Sequence, residues 1–202
     1  MEDLQKELAK LWEENKNLLK DLPLSKQWAN RAISRASNGF YFLKRCLECI
    51  HMSGTDPVYS RSIYTLLSIN CELLLTAYLL ALLKDDCPQK TATELMELIK
   101  GKNNHDLREL SEKIGKKNLK KLGIEDVKLE TKKDLKRYVL TLKDGEKIIA
   151  EDLVTVRYDF KYDSLRDIDS DESQLMRKNV NNLIGMTEKI MRSLQNNTRS
   201  DP

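Results

Sequence analysis

Glycine is scarce in this chain, with seven in 202 residues, and the seven are scattered. No glycine-rich loop is available to wrap a phosphate, and "GKNN" at 101–104 lacks the P-loop frame. Histidine is scarcer: His51 and His105 are the two, and none follows position 105. Charge of one sign is missing as well. Thirty-five Lys and Arg stand against 32 Asp and Glu, a net charge of +3, so no global basic field argues for nucleic acid. Long apolar runs are absent too. The longest, Leu73 to Leu83, is interrupted by Thr76 and falls short of the roughly 20 residues that span a bilayer. The first residues, "MEDLQKELAKLWEE", are charged and amphipathic with no apolar core of a secretory signal, which predicts a cytoplasmic protein.

What is present suits a soluble globular fold: 40% hydrophobic and 33% charged residues, enough to bury a real core in one domain with an appendage. Four cysteines, Cys46, Cys49, Cys71 and Cys87, read as reduced thiols rather than a disulfide scaffold. Cys46 and Cys49 form a C-x-x-C near His51, but they lie in a helical pattern with no second pair. A structural zinc needs four placed ligands, so no metal and no cofactor are expected. Lysines cluster locally at 116, 117, 120 and 121, and basic residues again at 132, 133, 136 and 137; runs of this kind are most often solvated faces.

Periodicity organises the chain. Residues 1–22 carry Leu4, Leu8, Leu11, Trp12, Leu18 and Leu19 on one side of an amphipathic helix. Pro23 ends it, and a longer helix is predicted from Ser25 to His51. "SGTDP" breaks the chain, with Asp56 as cap and Pro57 as first residue of a third helix reaching about Lys84. That helix is apolar around most of its circumference except one seam. Arg61, Thr65, Ser68, Glu72 and Thr76 recur at spacings of three and four, either as a solvent strip or as a polar groove centred on Glu72. Thr91 and Glu94 have capping-box spacing before a short helix ended by Gly101, and Asp106 precedes Glu109 in the same way beside His105.

From Val127 the period changes to two. "YVLTLKDGEKIIAE" alternates, turns at Asp144 and Gly145, and resumes at Ile148, which predicts a β-hairpin inserted at about 127–150 and projecting from the helices. A last helix is expected over Asp171 to Leu194, then a loose tail over 196–202. The fold class is therefore mostly α, an antiparallel helical bundle over 25–195 with a small β insertion.

Three stretches in this order resemble a known family: "INCELLLTAYLLALL" at 69–83, "NNHDLREL" at 103–110 and "VRYDF" at 156–160. The chain resembles the HEPN superfamily (higher eukaryotes and prokaryotes nucleotide-binding), small antiparallel helical bundles. The resemblance implies RNA or nucleotide binding in a prokaryotic defence or toxin-antitoxin setting, usually as a homodimer. Its nuclease members carry Arg, four to six residues, then His. Metal-independent RNA cleavage suits those types, because His moves the 2'-hydroxyl proton near neutral pH and Arg stabilises charge developing on phosphorus.

Here Arg157 is followed by Tyr162 where that histidine would stand. A phenol with a pKa near 10 is a poor base at neutral pH. Arg45 and His51 match the spacing literally but lie on the wrong helix, about 120° apart around its axis. Three functions follow. One is a non-catalytic module contacting RNA or a nucleotide through Arg157, His105 and Arg61. The second is a metal-independent endoribonuclease using Arg157 and Tyr162 with help from Glu72 or His105. The third is a protein-interaction scaffold. Arg157 is expected beside Glu72, and His105 is either structural at its helix entrance or part of the groove.

Overall fold

The computed structural model describes residues 22–53, 57–83, 91–100, 106–132, 135–151 and 170–197. They form helices α1 (Leu24–Ser53), α2 (Pro57–Ala81), α3 (Ala92–Lys100), α4 (Leu107–Ile114) and α5 (Lys116–Leu122). Strands β1 (Ile124–Lys132), β2 (Leu135–Leu142) and β3 (Lys147–Glu151) follow, and then α6 (Ser170–Asn197). The mostly helical class is borne out. The amphipathic segment 1–22, apart from Leu22, lies outside the described residues, as do Asp56, Gly101 and residues 198–202.

Helix α1 packs on both α2 and α6. Its buried stripe, Ala29, Ile33, Ala36, Phe40, Leu43 and Leu47, repeats at spacings of three and four, as an amphipathic helix requires. At its first turn Lys26 is 6% exposed, and its Nζ donates to the carbonyls of Ala81 at 2.7 Å and Leu83 at 2.8 Å. The start of α1 therefore sits at the end of α2, and the two run antiparallel. Carbonyls at a helix end have no partner within the helix, and a cation there also faces the negative end of the helix dipole.

Helix α2 is the most apolar element, and its extent corrects the expectation drawn from the Leu73–Leu83 run alone. Ile63–Ala81 is long and apolar enough, by length and composition, to cross a membrane. Most of that segment is buried within the protein, with Ile63, Leu67, Cys71, Leu74 and Leu75 in the core. The seam on α2 is not a solvent strip either: Ser68 and Thr76 are buried. The Ser68 hydroxyl is satisfied locally by the Tyr64 carbonyl at 2.9 Å, which is how a short polar side chain enters a core without an orphaned group. Asn70, also buried, lies against Gly39 of α1, where a β-carbon would overlap its amide.

Burial pushes the Cys71 thiol up to about 12 from an ordinary 9.0. The native state thus holds a proton that the unfolded chain releases near pH 9. Cys71 contributes stability that is complete below pH 9 and is lost as pH rises toward 12. Iodoacetamide at pH 8 should leave Cys71 unmodified in the native protein and label it fully in denaturant, read by peptide mass spectrometry; fast native labelling would contradict its burial.

The β insertion differs from the projecting hairpin that the alternation suggested. It is a three-stranded antiparallel sheet in the order β1-β2-β3, and it belongs to the same core as the helices. In register, Val127 stands opposite Leu140 and Leu140 opposite Ile148; the next row is Leu129, Tyr138 and Ala150. These side chains face the helices, with β3 against α2 and β1 against α4 and α5. The missed start of β1 has a physical cause. Ile124 and Val127 are both buried although three residues apart, which a period of two forbids. An irregularity in pairing between Ile124 and Asp126 inserts the extra residue that restores the phase.

Helix α6 runs three residues past the predicted Leu194, to Asn197, and grips the turn between β2 and β3. Lys178 pairs with Glu146, Asn182 donates to Glu146 at 3.3 Å, and Asn179 donates to the Lys147 carbonyl at 3.2 Å. Gly145 takes φ +81 in that turn, the left-handed region where glycine avoids a steric penalty.

Candidate functional site

Of the residues singled out from sequence, Glu72 is half-buried on α2. Arg61 lies on the same helix four turns before the core-facing Thr76, within the helical span Pro57–Ala81. Arg157, Tyr162 and His105 lie outside the described residues, and so does the expected approach of Arg157 to Glu72. Asp106 behaves as its spacing predicts: its Oδ1 accepts from the backbone N–H of Arg108 at 2.9 Å and of Glu109 at 3.2 Å. The Thr91–Glu94 capping box is likewise formed, with Glu94 accepting from the Thr91 N–H at 2.7 Å and Thr91 Oγ1 from the Glu94 N–H at 3.3 Å. Among the described residues no group of histidine, cysteine and carboxylate side chains could hold a metal ion.

The surface with the strongest single chemistry is α5, "KKNLKKL". Lysines at 116, 117, 120 and 121 fall within an arc of about 140° at roughly 100° per residue, and Leu119 and Leu122 fall opposite. All four lysines are exposed, and both leucines are buried. Two glycines frame this short helix. Gly115 has φ +81, and Gly123 closes the helix in the left-handed conformation at φ +102, its N–H donating to Leu119 and Lys120. The chain then passes directly into β1. Tyr78 of α2 ties the helix down by donating its hydroxyl to the Asn118 carbonyl at 3.1 Å; burial also raises the Tyr78 pKa.

Lys120 is engaged by Glu125 at 3.1 Å. Lys116, Lys117 and Lys121 form no ion pair with any described residue. The segment after the helix is pinned as well, since the backbone N–H of the exposed Lys143 donates to the Gly123 carbonyl at 3.0 Å. Net charge conceals this concentration: the overall excess is +3, yet α5 alone carries four exposed lysines. No family model, curated protein or solved structure matches the chain.

Beside the ridge, an open cleft of about 420 Å³ lies where α4 and α5 meet β1. Its walls carry both signs, with Arg108, Glu112 and Lys116 on the helices facing Asp126, Lys128 and Glu130 on the strand. Much of that charge is already neutralised, as Arg108 lies 3.9 Å from Glu112, Lys128 3.2 Å from Asp126, and Arg137 3.3 Å from Glu130. Sequence reasoning found the lysines but not their rigid mounting, because the anchoring Tyr78 lies 40 positions away.

Proposed function

We propose that this chain is a HEPN-like RNA-binding protein of a prokaryotic defence or toxin-antitoxin type system, cytoplasmic, and without the usual catalytic histidine. The observation that carries the RNA reading is the lysine ridge of α5, held in place by Tyr78 and by two buried leucines. Lysines on a rigid, exposed face meet successive phosphates without first being ordered, and they contact backbone rather than bases. The absence of any histidine after position 105 favours binding over cleavage, because a phenol, with a reference pKa near 10, is a poor base at neutral pH.

The test is binding of a single-stranded RNA by the purified protein as a function of salt. Wild type should bind with log affinity falling linearly in log salt. The Lys117→Gln/Lys121→Gln double variant should bind about tenfold more weakly, with a slope shallower by roughly 1.4, about 0.7 for each phosphate left without its lysine. Equal affinity and slope for the two proteins would remove the ridge from the site, and competition by free nucleotide alone would reassign it to a nucleotide. The same RNA incubated in chelator should stay intact. Cleavage that Tyr162→Phe abolishes would make the protein an endoribonuclease instead.

A further inference from the structure

Helix α1 buries one stripe and leaves another bare. On the bare side Arg31, Arg35, Asn38, Tyr41, Phe42 and Arg45 are all exposed. At roughly 100° per residue they fall within an arc of about 120°, spread over about 21 Å of helix. Glu48 is the one acidic residue in the whole of α1, and it lies 3.1 Å from Arg45. Arg31 and Arg35 form no ion pair with any described residue.

Phe42 is 58% exposed and Tyr41 47%, the two most exposed large apolar side chains among the described residues. Phe40 and Leu43 already fill the core on either side of them, so packing has no use for the Phe42 ring. An open hollow of about 420 Å³ lies beside the two rings, lined by them with Lys44, Arg45 and Glu48. The Tyr41 hydroxyl donates to Glu188 of α6 at 3.4 Å, which orients its ring at the rim. We infer that this face of α1 holds single-stranded RNA, with bases stacked on Phe42 and Tyr41 and phosphates met by Arg31, Arg35 and Arg45. The site presupposes the RNA-binding reading, and it adds a second surface and a requirement for unpaired bases.

The composition fits that ligand better than a partner helix. A helix seated in a groove uses apolar anchors about one turn apart, whereas the two aromatic residues here are adjacent and the rest of the stripe is polar. A duplex offers no unstacked base. A single strand carries a π-face on every base and a phosphate for every cation, and a guanidinium plane stacks on bases as well as pairing with phosphate. Helix α5 carries lysine alone, and lysine meets phosphate as a point charge. The lysine ridge therefore supplies affinity for any polyanion, and the α1 face supplies the preference for an unpaired strand.

The test is fluorescence anisotropy of the full chain with a labelled single-stranded RNA of about 12 nucleotides, its duplex, and an abasic strand of equal phosphate number. Phe42→Leu keeps an apolar side chain but removes the ring. It should weaken single-strand binding about tenfold, leave the salt slope unchanged because no charge is lost, and leave duplex and abasic binding as in wild type. Phe42→Tyr keeps a ring and should keep the affinity. Arg31→Gln/Arg35→Gln should instead make the slope shallower by about 1.4, for the single strand and the abasic strand alike. All three positions are exposed, so circular dichroism should show each variant folded. Wild-type affinity in Phe42→Leu would overturn the inference and leave the ridge standing. An equal loss for the abasic strand or the duplex would overturn it too, since the ring would then act on something other than unpaired bases. Weakening by Phe42→Leu but not by Lys117→Gln/Lys121→Gln would make α1 the RNA site in place of the ridge. A wild type that binds no form of RNA would remove both.

Discussion

Gly39→Ala should lower the stability of this protein by about 1 to 3 kcal/mol, where helix propensity alone predicts a gain of about 1 kcal/mol. Gly39 sits inside α1, and a β-carbon there would overlap the oxygen, nitrogen and Cγ of the Asn70 amide. Asn70 is 4% exposed and is held among packed side chains, so it has little room to retreat. In an Asn70→Ala background the obstacle is gone. There Gly39→Ala should become stabilising, a change of sign that only contacting residues produce. Among the described residues the Asn70 amide nitrogen has no hydrogen-bond partner, so Asn70→Ala itself should cost less than loss of a fully bonded amide. Urea denaturation of the four proteins checks this. Additive effects would mean that the two residues do not meet.

Lys26→Met should cost about 2 to 3 kcal/mol. Methionine keeps most of the volume but removes the ammonium that bonds the Ala81 and Leu83 carbonyls, and bonds from a charged donor are worth roughly 1.5 to 3 kcal/mol. The carbonyls at that helix end then lose both a donor and a favourable charge. The damage should be local as well as global: amide exchange should accelerate in the last turn of α2 before it does in α4. A change below about 0.5 kcal/mol, the range of an ordinary surface substitution, would show that water replaces the ammonium without loss.

Both residues show where the sequence stops being legible. Pro23 and Pro57, the Thr91–Glu94 and Asp106 caps and the Asp144–Gly145 turn encode their structure within a few positions, and each appears where its local chemistry puts it. Lys26 and Ala81 are 55 positions apart, and nothing in "LSKQW" distinguishes a capping lysine from a solvated one. Gly39 gives no sign of facing Asn70. Ser68 and Thr76 look like a solvent strip because polarity is the only clue that a sequence offers; burial depends on which neighbours arrive. β1 begins three residues before its alternation becomes visible because a bulge interrupts the period. As for the candidate site, the α5 lysines could be read directly, but the cleft beside them joins helix faces to a strand edge and exists only in the folded chain.

The long helix α1 finds one of its two main neighbours, α6, far along the sequence at residues 170–197. Tyr41 donates to Glu188, 147 positions away, and α6 is the last described element. During synthesis α1 and α2 can associate almost at once, but the side of α1 that α6 will cover has to wait until the sheet and then residues 170–197 have been made. Contacts so distant in sequence slow folding, and an uncovered apolar face invites misassembly while it lasts. A ribosome that stalls before residue 170 therefore holds a half-built bundle, in which the side of α1 that faces α6 is still uncovered.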